Sequence, residues 1–100
     1  MNQVSLKGKV SKTGRLQYTP QGIPVYEFVM AVPQEVFGKK SMGPLQMMAT
    51  GDLAEELAGC LRIGKTILVN GRLWSRVFKN TKDQKVEETR VILESFQEEK

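Results

Sequence analysis

The chain has 100 residues, 40% of them hydrophobic and 26% charged, with a formal charge of +4 at neutral pH. That is the size of a single domain, residues 1–100, with one modest core, and the balance of apolar and charged residues excludes a disordered segment. No apolar run approaches the roughly 20 residues a membrane-spanning helix needs, and histidine, the commonest general base and metal ligand, is absent.

From the N-terminus, Met1–Ser5 turns polar at once and has no signal-peptide core. Val4, Leu6 and Val10 then alternate with Ser5, Lys7 and Lys9, the period of a strand with one apolar face. Gly8 within it predicts a bulge or sharp bend. Tyr18–Pro24 carries turn chemistry, Pro20, Gly22 and Pro24 at alternate positions. Val25–Val32 reads as a second strand, with Tyr26, Phe28, Met30 and Val32 on one face and Pro33 ending it. Pro33–Pro44 reads as a long loop, and Leu45–Thr50 as a third strand.

Asp52 is a candidate helix N-cap, and Glu55 three residues on completes a capping-box pattern. Leu53, Leu57 and Leu61 make one helical stripe, and Gly64 is placed to stop the chain after it. Thr66–Ser75 reads as a fourth strand, with Ile67, Val69, Gly71 and Leu73 on one face. The opposite face carries Thr66, Leu68, Asn70, Arg72 and Trp74. A basic loop is predicted from Arg76 to about Lys85, and a last strand over Val86–Phe96, with Thr89, Val91 and Leu93 on one side. Met30, Met47 and Met48 read as core or interface filler, and Cys60 as a small buried hydrophobe.

The order β-β-β-α-β-β predicts an all-β fold, a five-stranded OB-fold Greek-key barrel with one short helix between strands three and four. An SH3-type barrel would more often lack that helix. The lone Cys60 forms neither an internal disulfide nor a zinc site, so the chain suits a reducing compartment, the cytoplasm, with no membrane attachment. Without histidine no Ser-His or Cys-His pair exists, no compact acidic cluster stands out, and the expectation is a protein that is not an enzyme and needs no cofactor or metal.

Charge is unevenly placed. Glu94–Lys100 holds three acids and one base, so residues 1–93 carry +6. A basic body suits a polyanionic partner, although a solvated surface with a mild Lys/Arg excess has the same composition. The sharper signal is a pattern. Arg72, Trp74 and Arg76 fall on one strand face, followed by Phe78, Lys79, Lys82 and Lys85. Cations displace counterions along a phosphate chain and flat rings accept any base, which is the equipment of single-strand binding. Trp74 packed in a subunit interface or under a loop, and the lysines on a solvated hairpin, are the competing readings.

Several phrases, taken in order, resemble the bacterial single-stranded-DNA-binding protein family. Asn2–Val10 is similar to its opening strand, and Tyr18–Gly22 followed by Phe28–Ala31 to its first hairpin. Gly51–Glu55, Leu61–Lys65 and Val69–Leu73 are similar to its helix and fourth strand. Pro20-x-Gly22-Ile23-Pro24 most resembles a short primosomal (PriB-like) member, with an accessory paralogue as the alternative. The resemblance implies binding of single-stranded DNA with little sequence preference, in replication, replication restart or recombination, by a homodimer or homotetramer in the cytoplasm on the nucleoid, with primosome or other replication proteins as further partners. It places Phe37 near one stacking position and Phe78 on another. Lys39 and Lys40 beside Phe37 are then DNA contacts, while Lys7 and Lys9, with Lys12 and Arg15 beyond, divide between an interface and a binding role.

The sequence departs from the family pattern at Pro44, Thr50, Asp52 and Trp74, where the family has Trp, Phe, Lys and often a basic residue. The family's long Gly/Pro/Gln-rich tail with an acidic, Phe-terminated tip has no counterpart before Gln97–Lys100, which is the reason to expect a short member. An OB module that binds RNA, and a primosomal protein-interaction module with weak DNA binding, are the alternative functions.

Overall fold

The computed structural model describes residues 1–99; Lys100, counted above in the acidic C-terminal stretch, lies outside them. Strands β1 (Val4–Thr13), β2 (Gln17–Tyr18), β3 (Pro24–Val36) and β4 (Lys39–Thr50) precede helix α1 (Asp52–Cys60), and β5 (Thr66–Lys79) and β6 (Lys85–Glu98) follow it. The sheet order is β1-β5-β6-β4-β3-β2, and a further β1–β3 pairing closes the five long strands into a barrel. The expected OB-fold barrel is therefore present. The helix sits between β4 and β5 only because the two-residue β2 is counted, so its place after the third long strand agrees with the sequence.

Alternation fills the barrel. Tyr26, Phe28 and Met30 of β3, Met47 and Ala49 of β4, Ile67 and Val69 of β5, and Val91 and Leu93 of β6 are buried. Ala54, Leu57 and Leu61 join them from the helical segment. Met30 and Met47 are thus core, whereas Met48 is only half-buried and faces outward. Cys60 is half-buried rather than buried.

Three expectations about Gly and helix ends need correction. The irregularity in the β1–β3 ladder falls between Val10 and Lys12, not at Gly8. Gly8 instead lies against the Ala31 carbonyl, where a Cβ would overlap the oxygen. Asp52 is the first helical residue and not the cap. Gly51 caps the helix with φ 69°, no side chain accepts a capping bond, and the predicted capping box does not form. A residue at that φ is favoured to be glycine, and Asp52 and Glu55 still complement the helix dipole from the first turn. The helix ends at Cys60 with Leu61 as C-cap, and Gly64 (φ 92°) belongs to the turn beyond it.

The larger correction concerns the two predicted loops, which are mostly strand. β3 continues through Pro33 to Val36 and pairs with β4 from Val36↔Lys39 to Val25↔Thr50. Among the described residues, β3 past Ala31 has no strand neighbour but β4, and on such an edge proline is tolerated. The loop shrinks to a two-residue turn, Phe37 (φ 52°) and Gly38 (φ 76°). Likewise β5 runs to Lys79 and β6 begins at Lys85, so only Asn80–Gln84 is turn. There the Asn80 carboxamide oxygen accepts from the backbone N–H groups of Lys82 (2.9 Å) and Gln84 (3.0 Å), an Asx-type clasp that holds the tip.

A candidate nucleic-acid interface on two β-arms

β4 and β6 meet in parallel at Met47↔Val91 and Met48↔Ile92. Each enters that contact from its own hairpin turn, so the β3–β4 and β5–β6 hairpins leave the barrel at the same end. From Lys39 to Met47 the first arm extends about 26 Å at the usual strand rise. α1 closes the opposite end, where the Gly51 N–H donates to the Pro24 carbonyl (2.9 Å).

On the β5–β6 arm, register decides the site. Arg72, Trp74, Arg76 and Phe78 lie opposite Ile92, Arg90, Glu88 and Val86. All four point away from the barrel interior, because Ile67, Val69 and Val91 occupy the inner face. Trp74 is 38% exposed and Phe78 37%, half-covered by Arg76. The Arg76 guanidinium carbon stands 5.7 Å from the Trp74 ring centre and 4.7 Å from that of Phe78, a cation held between two rings. Arg76 Nε also donates to Glu88 (2.7 Å). Glu88 is in turn paired with Arg90, and Arg90 with Glu27. The Glu88 carboxyl is held below the usual carboxylate range, chiefly by the Arg76 hydrogen bond, which outweighs partial desolvation.

The remaining predicted residues divide by position. Lys79 ends β5 and faces Asp83 at 3.6 Å, Lys82 sits in the turn, and Lys85 opens β6 opposite Lys79. All three are exposed, and two of them belong to strands rather than to a loop. On the other arm Phe37 is fully exposed at the tip. Lys39 and Lys40, also placed in a loop by sequence, are the first residues of β4, opposite Val36 and Glu35. Both arms thus project rings and cations from one end of the barrel.

Lys7 and Lys9 are not brought to that end. They share the outer face of the β1–β5–β6 sheet, but Lys7 pairs with Leu68, six residues down β5 from Trp74, about 20 Å along the strand. Lys7 is also ion-paired with Glu99 (2.7 Å). Of the twelve residues singled out, Lys9, Lys39, Lys40, Arg72, Lys82 and Lys85 have no acidic partner within 4.0 Å among the described residues.

Sequence reasoning missed the acidic members of the site. Glu27, Glu88 and Arg90 form a chain of ion pairs beneath the aromatic row. A hairpin turn centred on Lys82 would have revealed it, because that centre sets Arg76 opposite Glu88 and Trp74 opposite Arg90. Leu73 (49% exposed), which strand period assigned to the apolar face, and Val77 (63%), which fell in the predicted loop, both lie exposed on the other face of the same arm.

Comparison with known proteins agrees with this architecture. The profile of the single-strand binding protein family matches residues 1–98. The chain is 31% identical over 100 residues to single-stranded DNA-binding protein 1 of Streptococcus pyogenes serotype M18, covering 97% of this chain and 77% of the relative. It is equally 31% identical to single-stranded DNA-binding protein 3 of Listeria innocua, spanning 62% of that relative's length. The crystal structure of a deletion variant of the single-stranded DNA binding protein from Thermus aquaticus superposes with a TM-score of 0.80 at 26% identity, over all of this chain and 51% of that one.

Proposed function

This chain belongs to the single-strand binding protein family, and from that premise we propose that it is a non-enzymatic protein that binds single-stranded DNA with little preference for base sequence. The observation that carries the reading is the row Trp74–Arg76–Phe78, rings and a cation on one exposed strand face at the end of the barrel where Phe37, Lys39 and Lys40 also project. Rings stack on any base, and lysines and arginines neutralise phosphates, so the row grips a strand without reading its sequence. Replication, replication restart with primosome proteins, or recombination is the setting this chemistry serves. Assembly as a homodimer or homotetramer fits a barrel whose β1 edge over Val4–Gly8 has, among the described residues, a strand neighbour, β5, on one side only.

Among the described residues no helix is long and apolar enough to cross a membrane.

The deciding experiment is a titration with dT oligomers of rising length at two salt concentrations, read beside the mass of the protein in solution, with an RNA oligomer as competitor. Tight, salt-sensitive binding of dT supports the reading. Preference for the RNA would redirect it to an RNA-binding module, and weak binding of both to a protein-interaction module.

A further inference from the structure

The aromatic row looks basic in the sequence, yet at its centre it is electrically neutral. Arg76 and Arg90 are matched there by Glu27 and Glu88. Glu88 is the hub: one carboxylate oxygen accepts from Arg76 Nε and the other from Arg90. The two partners differ in access. The Glu88 side chain is 20% exposed, that of Arg76 53%. The acid is embedded in the sheet face while the guanidinium reaches out between Trp74 and Phe78.

Glu88 holds Arg76 through Nε alone (2.7 Å), so a phosphodiester that approaches the Nε edge of the guanidinium competes with the carboxylate for that donor, both acceptors being anionic oxygens. We propose that Glu88 tunes the affinity of this face for single-stranded nucleic acid by competing with backbone phosphate for Arg76. The proposal rests on the binding function inferred above. Its physical content is an exchange: when a strand lies across the row with its bases on the rings, a phosphate takes the position of Glu88 at Arg76 Nε, and Glu88 keeps its pairing with Arg90, which it shares with Glu27. Arg76 therefore contributes less than a full phosphate contact, and the rings carry more of the binding at this arm than its composition suggests. The hydrogen bonds from Arg76 and Arg90 keep the Glu88 carboxyl ionised at neutral pH, so the competitor is present under ordinary conditions.

The test is a double-mutant cycle in dT-oligomer binding, followed by fluorescence anisotropy across a salt series, with the full chain and with matched melting temperatures as the check on folding. Glu88→Gln keeps the shape and removes the charge. It is expected to bind about two- to fivefold tighter at low salt, the range a surface ion pair is worth, and to steepen the log–log salt slope by about 0.7, one added phosphate contact. In an Arg76→Gln background the same change should give no gain and no added slope. Unchanged or weaker binding by Glu88→Gln overturns the proposal. So does an equal gain with and without Arg76, which would make the effect a general loss of negative charge. Wild-type affinity in both Trp74→Ala and Phe78→Ala would overturn the choice of face itself, and the competition with it. Loss in those two variants beside an inert Glu88→Gln would leave the binding reading standing and remove only the role of Glu88.

Discussion

The α-carbon of Gly8 lies against the carbonyl oxygen of Ala31, at the point where β1 passes from β5 to β3 and closes the barrel. The obstacle is backbone, which a rotamer change does not relieve. Gly8→Ala is therefore expected to cost about 3 kcal/mol, the upper end of overpacking penalties, and Gly71, set against the Ile92 carbonyl, should behave alike. Gly59 is the counter-case: exposed on α1, with nothing within 4 Å of an added Cβ. Gly59→Ala should stabilise by about 0.5–1 kcal/mol through helix propensity. Urea denaturation of the three variants checks the contrast, and a Gly8→Ala protein as stable as its parent would mean the barrel does not close there.

Phe37 stands at φ 52° before Gly38 at φ 76°, the paired positive angles of a type I′ turn. Asn-Gly is the favoured pair for that turn, and an aromatic residue is strained in it. The ring gains no packing in return, since it is fully exposed. Phe37→Asn should therefore raise stability by about 1 kcal/mol, the low end of the cost of a left-handed non-Gly residue, while weakening dT binding by about 1–3 kcal/mol if the ring stacks on a base. A melt and a titration on the same sample separate the two effects. A variant that is more stable and binds undiminished would make the ring an ornament of the turn.

Trp74 is the single tryptophan, which makes its environment readable by fluorescence. Its half-exposed position beside Arg76 predicts quenching when dT is added, and a loss of about 1–3 kcal/mol of binding in Trp74→Ala with an unchanged salt slope. A ring buried between subunits would instead show its loss in stability or association, about 3–5 kcal/mol, with emission indifferent to DNA. Measuring mass in solution beside the titration distinguishes these outcomes.

What was legible in the sequence follows from what period and composition encode. The buried face of β3, that of β5 as far as Gly71, the Leu53–Leu57–Leu61 stripe and the order of elements were readable, because alternation and helical spacing report one-sided burial directly. The arms were not. Beyond the barrel a hairpin has no core to enforce alternation, so Pro33–Pro44 and Arg76–Lys85 look like loops although backbone pairing runs nearly to their tips. The same gap hid Glu88: its partner is twelve residues away along the chain and directly opposite across the ladder, a relation only the register reveals. The helix cap was misread for a different reason. Asp52 is a good capping residue, but the chain leaves β4 through a left-handed residue, and Gly51 meets that demand first.

Cys60 tests the electrostatics of the opposite end of the barrel. Burial, and after it the neighbouring Glu98 carboxylate, pushes its thiol above the ordinary value of 9.0. Glu98 is itself held low by Lys65, which donates to it at 2.9 Å. The folded state thus favours the protonated thiol. Its contribution to stability is complete below the unfolded thiol's titration and is lost as pH rises through the folded value. Reaction with a disulfide reagent at pH 8 should be slower in the native protein than in urea, and Glu98→Gln should accelerate it. Equal rates in native and unfolded protein would contradict the assigned environment.

The lysines of the β5–β6 arm should affect binding through salt alone. Lys79, Lys82 and Lys85 are exposed, and the one ion pair they make among the described residues, Lys79 with Asp83 at 3.6 Å, is too solvated to support the fold. Changing all three to Ala should leave the melting temperature and the mass in solution unaltered, because the turn is held by the Asn80 carboxamide rather than by charge. With a handful of cations engaged, the parent protein should show a log–log salt slope of about −2 to −4, each phosphate contact counting about 0.7. The triple variant should bind more weakly and flatten that slope by about 0.7 for every lysine that meets a phosphate. Weaker binding at an unchanged slope would mean the substitutions had disturbed the rings. An unchanged affinity would move the phosphate track to Lys39 and Lys40 on the other arm.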